Sequence, residues 1–198
     1  LGLTPPSPTL AVITLVLALA LITAGLLSST AHLGRPERAW RALSQWRSSW
    51  LSREGVAALL TYVPAALFGL ALLAGWNGVA ALSGLLAAAG AAVTVWCTGM
   101  IYASLRTVRQ WRHPLVPWGY LLFSAFSGAA LLAAAAAFAG GAATPTLLAV
   151  ALGLGALLLK RSYWSGIDAA PPSGTPSIES ATGLGRIGRT RPLDPPHT

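Results

Sequence analysis

Two titratable side chains, His32 and Glu54, stand where uncharged stretches of the chain meet a charged one. The charge of a histidine changes near physiological pH, so an imidazole at such a boundary can accept a hydrogen bond and then a proton. A carboxylate in the same pocket can accept another. The two residue types are therefore those needed to take the two protons that a quinol releases when it is oxidised.

Each residue also has a purely structural explanation. A histidine at the membrane interface is satisfied by water or by a backbone carbonyl. A glutamate at the start of a helix is stabilised by the exposed N–H groups and by the helix dipole. Sequence spacing does not show whether His32 and Glu54 share one pocket, so both explanations remain open at this point.

The elements that must position these residues follow from the distribution of charge. All charged side chains fall into three blocks, at residues 35–54, 106–112 and 160–198, and the stretches between them carry none. An α-helix rises about 1.5 Å per residue and the hydrocarbon core is about 30 Å thick, so one crossing needs about 20 apolar residues. With 55% hydrophobic and 9% charged residues, the chain exposes too much apolar surface for a soluble class.

The pattern predicts an all-α fold, a polytopic transmembrane helix bundle with five spans in residues 9–160. A short extended lead-in, residues 1–8, precedes the bundle, and an irregular, polar and basic tail, residues 161–198, follows it. Five crossings place the three charged blocks on one side of the membrane and the two uncharged hairpins on the other. The predicted spans are 9–29, 54–75, 78–105, 118–139 and 146–159.

The segment between the first two spans combines arginine with tryptophan. Trp40, Trp46 and Trp50 recur at helical spacings among five arginines, and tryptophan prefers the level of the lipid headgroups. We predict an interfacial amphipathic loop, which a helix lying on the membrane surface would explain most simply. The same segment supplies candidate docking residues for a partner subunit.

Several function classes are disfavoured. No basic face is interleaved with stacking aromatics on a soluble fold, so nucleic acid is not an expected partner, although the net charge is +8. The single cysteine, Cys97, provides neither a disulfide framework nor a metal pair. A b-type haem needs facing histidines inside the bundle, whereas His32 and His113 lie at the charged rim and His197 lies in the tail. We therefore expect neither haem nor a bound metal ion.

The runs themselves resemble a known family. HLGRPERAW, from His32 to Trp40, together with SSWLSRE, which ends at Glu54, is similar to the first loop of dimethyl sulfoxide (DMSO) reductase membrane anchor subunits. Residues 100–111 and the tail run 182–188 also resemble that family. The likeness extends from about residue 10 to the end of the chain.

The resemblance implies eight transmembrane helices, of which this chain would hold the second to the sixth. It implies a membrane anchor that binds a molybdopterin catalytic subunit through an iron–sulfur subunit and oxidises menaquinol without haem. His32 matches the family's quinol-site histidine and Glu54 an acidic residue associated with that site. Arg35 is a weaker quinol-site candidate, and the candidates for partner docking are Arg38, Arg41, Arg106 and Arg109.

The expected location is the cytoplasmic membrane of a bacterium or an archaeon. The arginine excess favours the cytoplasmic side for the charged loops, whereas the family's usual arrangement places this loop outside. Two alternative functions remain. One is a structural anchor that binds no quinone, and the other is a small-solute transporter with a path lined by Thr94, Thr98, Ser124 and Ser127.

Overall fold

The computed structural model describes residues 8–31, 34–105, 108, 110–138, 143–169 and 187. Within these ranges every regular element is helical, so the predicted all-α class is confirmed. A 3-10 turn at Pro36–Arg38 precedes the second helix. The α-helices are α1 (Pro8–Ala31), α2 (Arg41–Ser44), α3 (Trp50–Ala74), α4 (Asn77–Ala103), α5 (Leu115–Phe138) and α6 (Ala143–Ala169).

Five of these helices, all except the four-residue α2, are long and apolar enough to cross a membrane. Each of the five begins one to four residues before its predicted limit, and the largest differences are at the start of α3 and at the end of α6. α3 begins at Trp50 because Ser49 adopts an extended conformation and its hydroxyl accepts a hydrogen bond from the Ser52 N–H. α6 continues to Ala169, since Lys160 and Arg161 are compatible with a helix that leaves the hydrocarbon.

The chain divides into two units, Leu1–Tyr163 and Trp164–Thr198. The first unit contains α1 to α5 and most of α6. In the second, the described residues are the final six of α6 and Ile187, whose side chain is exposed.

Small side chains form the buried interior of the first unit. The largest side chain that is almost completely buried is Ser83, and many leucines are more than half exposed. Lipid is as apolar as leucine, so helices in a membrane gain little by hiding leucine and associate instead where small residues let their backbones approach. The buried apolar residues are Ala58, Ala65, Ala71, Ala80, Cys97, Ala129, Ala136, Ala149 and Ala156.

Glycines mark the closest helix contacts. A Cβ atom added to Gly99 of α4 would lie 2.6 Å from the Pro117 Cα of α5. On α6, a Cβ added to Gly153 would lie 2.9 Å from the Phe126 ring of α5. A side chain at Gly99 would therefore require movement of the α5 backbone, and one at Gly153 would require the Phe126 ring to shift. Between α3 and α4, Gly75 ends α3 with a positive φ of 70°, which glycine adopts without strain.

Contacts between neighbouring helices place described residues of the first two charged blocks, and the start of the third at residues 160–163, at one end of the first unit. Glu54 in the first block bonds to Thr98 near the end of α4. The Tyr163 hydroxyl, three residues after Lys160, donates to the Gln110 carbonyl oxygen in the second block, 2.8 Å away. Among the described residues, the arrangement expected from five crossings is thus observed.

We expect Gly99→Ala to lower the stability of the protein by about 1–3 kcal/mol, because the new methyl group meets the backbone of α5 and overpacking costs about that much. The matched control is Gly128→Ala on α5, where an added Cβ meets nothing within 4 Å and alanine favours the helix. The measurement is unfolding of the full-length protein in detergent micelles. Equal midpoints for the two variants would contradict this account of the α4–α5 contact.

Candidate functional site

Glu54 lies on the second turn of α3 and faces α4. Its carboxylate oxygen Oε1 accepts a hydrogen bond from the Thr98 hydroxyl at 2.6 Å. Ser49 caps the helix, so Glu54 lies beyond the first turn. The helix dipole acts most strongly on groups within that first turn. The half-buried carboxylate is therefore held by a specific side chain of another helix.

The Thr98 hydroxyl has a second neighbour. Its oxygen lies 3.1 Å from the Thr94 carbonyl oxygen, one turn earlier on α4. A hydroxyl carries one proton and two acceptor lone pairs, so Thr98 can donate to Glu54, or accept from a protonated Glu54 while it donates to Thr94. This geometry permits a proton to pass through the hydroxyl in either direction.

Thr98 also lines a cleft of about 800 Å³ between α4, α5 and α6. Most of the lining is apolar or aromatic, and its polar side-chain groups are six hydroxyls, the Trp111 indole N–H and the Lys160 ammonium. Pockets of this size and composition are typical of small-molecule sites. The aromatic lining residues are Tyr102, Trp111, Tyr120, Phe123, Phe126 and Tyr163.

The aromatic side chains are packed against one another. Tyr102 stacks on Tyr120 with ring centroids 5.5 Å apart and planes 13° apart. Trp111 meets Tyr102 edge to face at 5.2 Å. The Lys160 ammonium lies 5.8 Å from the centroid of the Phe123 ring, which places a positive charge on the cleft wall. The cleft is thus built from rigid flat surfaces beside one cation.

The residues before α3, together with its first turn, form a folded Arg–Trp segment, residues 34–53, instead of one continuous amphipathic helix. The prediction of one continuous helix was wrong, because turns separate the 3-10 turn and α2 from α3. The Arg53 guanidinium explains the break. It donates to the carbonyl oxygens of Trp46 and Arg47, at 3.0 and 2.7 Å, and these are groups that a continuous helix would use internally.

Tryptophan and arginine pair within this segment. The Arg53 guanidinium carbon lies 4.3 Å from the Trp50 ring centroid. Arg41 over Trp40 and Arg47 over Trp46 make longer cation–π contacts, at 5.6 and 5.4 Å. The exposed guanidinium groups of Arg41 and Arg47 can donate hydrogen bonds either to lipid phosphate or to carboxylates of a protein partner, whereas Arg53 donates to backbone carbonyls of the segment itself.

The structure brings together some of the residues singled out from the sequence and leaves others apart. Arg35, Arg38 and Arg41 are exposed in the Arg–Trp segment, and Arg38 makes a long ion pair with Glu37 at 4.0 Å, of the kind that contributes little. The remaining candidates, His32, Arg106 and Arg109, lie outside the described residues. The pairing of His32 with Glu54 therefore stays a prediction.

Sequence reasoning missed the cleft. It considered Thr98, Ser124 and Ser127 only as a polar path for a transporter, and all three line the cleft. It did not select Tyr102, Tyr120 or Lys160. The available signal was that Thr98 and Tyr102 stand one turn apart near the charged end of a span.

Comparison with known proteins identifies relatives. A family model described as the DMSO reductase anchor subunit (DmsC) matches residues 8–160. One sulfite dehydrogenase subunit, from Allochromatium vinosum, is 38% identical over 135 residues, which cover 62% of this chain and 42% of that protein. The chain thus aligns with less than half the length of this curated relative. No solved structure matches the chain.

We expect Ser52→Ala to loosen the Arg–Trp segment. The Ser52 hydroxyl is 2% exposed and donates to the Ala42 carbonyl oxygen, so its loss removes a tether between α2 and α3 worth about 1–2 kcal/mol. Hydrogen–deuterium exchange over residues 39–49 should accelerate. In the control Ser48→Ala, the lost hydroxyl is exposed and bonds only within its own turn, to Gln45. Similar exchange in both variants would refute the tether.

Proposed function

We infer the function of this chain from its family, because it belongs to the DMSO reductase anchor subunits. Together with its five apolar helices, this membership makes it a multi-pass membrane protein. We propose that it anchors a molybdopterin oxidoreductase complex and exchanges electrons with menaquinol, with no catalytic activity by itself.

In the proposed path, electrons pass from the quinol site of this chain to the partner subunits. Electrons pass from menaquinol to clusters in an iron–sulfur subunit and from there to the molybdopterin subunit. Both kinds of cofactor are held by the partners, so the anchor itself supplies the quinol site and the attachment to the membrane.

The observation that best supports quinol chemistry is the Glu54–Thr98 hydrogen bond at the edge of the aromatic cleft. Quinol oxidation requires a group that accepts protons beside an apolar site that a lipid-soluble molecule can enter. The exposed arginines of the Arg–Trp segment supply a docking surface suited to an acidic face of the iron–sulfur partner.

The name of the relative favours a second candidate function, in which electrons flow the other way. A dehydrogenase removes electrons from its substrate, so the anchor of a sulfite dehydrogenase would deliver electrons to quinone. The same carboxylate would then donate protons to the reduced quinone. Assays of menaquinol oxidation and of menaquinone reduction by the purified complex distinguish the two directions. We place the complex in the cytoplasmic membrane of a bacterium or an archaeon.

We expect His32→Ala to abolish electron exchange with menaquinol while the complex still assembles, because the imidazole is the proposed partner of Glu54 in proton transfer. The measurement is menaquinol-dependent turnover of the full-length anchor copurified with its partner subunits. A matched control is His113→Asn, since the His113 Nδ1 atom accepts from the Leu115 N–H and the asparagine oxygen can replace it.

Unchanged turnover in the assembled His32→Ala complex would favour the pure anchor. A transporter would instead move solute across vesicles that contain the anchor without its partners.

A further inference from the structure

We propose that the cleft between α4, α5 and α6 holds the quinol ring, and that the Thr98 hydroxyl passes its protons to Glu54. This inference rests on the proposed function and assigns it a location and a proton route. It gives Thr98, Tyr102, Tyr120 and Lys160 roles at the quinol site.

The shape and lining of the cleft suit a fused aromatic ring that carries hydroxyl groups. A volume of about 800 Å³ lies within the usual range for small-molecule sites. The stacked pair of Tyr102 and Tyr120 offers flat surfaces for such a ring and two phenol groups for hydrogen bonds.

The cleft is open along α5, where the side chains of Phe123, Ser124 and Ser127 are exposed. These residues lie within a membrane-spanning helix. A ligand dissolved in the bilayer can therefore enter from the side, with its isoprenoid tail remaining among apolar groups. This route fits a lipid-soluble quinol better than a water-soluble substrate.

Thr98 connects the cleft to the carboxylate. It is the residue that both lines the cleft and bonds to Glu54 within the described part of the chain. As a quinol O–H bond breaks, the Thr98 oxygen accepts the proton and releases its own to Glu54 Oε1, 2.6 Å away. Half-buried Glu54 then passes the proton on at the charged end, to the His32 imidazole that the proposed function pairs with it.

The reaction balances over two such steps. Each quinol loses two protons through Thr98 and Glu54 and two electrons, one at a time, to an iron–sulfur cluster of the partner subunit. The product is the quinone. The Lys160 ammonium on the cleft wall stabilises the negative charge that develops on the quinol oxygen as each proton leaves.

The first test removes the hydroxyl of Thr98. We expect Thr98→Val, an isosteric change, to lower menaquinol turnover by roughly 100-fold with little change in KM, since proton transfer contributes about that much. Thr98→Ser should restore most of the rate. Thr94→Val is the matched control, because the Thr94 hydroxyl bonds only to the Gly90 carbonyl oxygen of its own helix.

The second test fills the cleft. We expect Ser124→Phe to prevent labelling of α5 by a photoreactive azido-naphthoquinone with one isoprene unit, and to raise KM at least tenfold. The neighbouring Ala125→Phe adds a ring of the same size to an exposed position outside the cleft lining, and it should behave as wild type. Copurification of the iron–sulfur and molybdopterin subunits verifies that each variant has assembled.

The outcomes distinguish a failure of the cleft assignment from a failure of the proposed function. If the wild-type complex exchanges electrons with menaquinol and both Thr98→Val and Ser124→Phe match it, the cleft assignment is overturned and the proposed function stands. If the assembled wild-type complex exchanges no electrons with menaquinol or menaquinone, both are overturned. A lower rate in Thr98→Val, rescue by serine and lost labelling in Ser124→Phe support the inference.

Discussion

The packing of the helices depends on how closely their backbones can approach inside a membrane, where lipid provides no hydrophobic driving force for association. In the described part of the chain, the interfaces are built from alanine and glycine, and close contacts bring Gly90 of α4 against Thr61 of α3 and Gly99 of α4 against the backbone of Pro117 on α5. Such contacts fix the register of the helices along their axes. The polar groups at the charged end are positioned by that register, and Glu54 meets Thr98 because of it.

The charged end differs in character from the rest of the bundle. Its arginines stack on tryptophan rings and its tyrosines stack on one another, whereas the spans below are held by small apolar side chains. Aromatic groups at this depth satisfy both the apolar and the polar sides of the interface. The same chemistry that anchors the chain in the membrane thus creates the flat, partly polar cleft beside Thr98.

Much of the fold follows from the sequence, and less of the site does. The charge blocks predict five spans with one charged end, because crossing a bilayer demands long apolar helices whatever their contacts. The break before α3 was not predicted, since it depends on the Arg53 side chain bonding to backbone carbonyls several residues earlier. The cleft was missed for a similar reason. Its lining joins three helices, and only their packing shows that Thr98 lies beside both Glu54 and Tyr102.

The position of Glu54 has a bioenergetic consequence. It lies at the same end of the bundle as the Arg–Trp segment, the surface assigned to the electron-accepting partner. Under the proposed function, protons and electrons from each quinol leave through one face of the membrane. The reaction is then electroneutral, so this anchor would generate no membrane potential of its own, and any energy conserved must come from the enzymes that reduce the quinone pool.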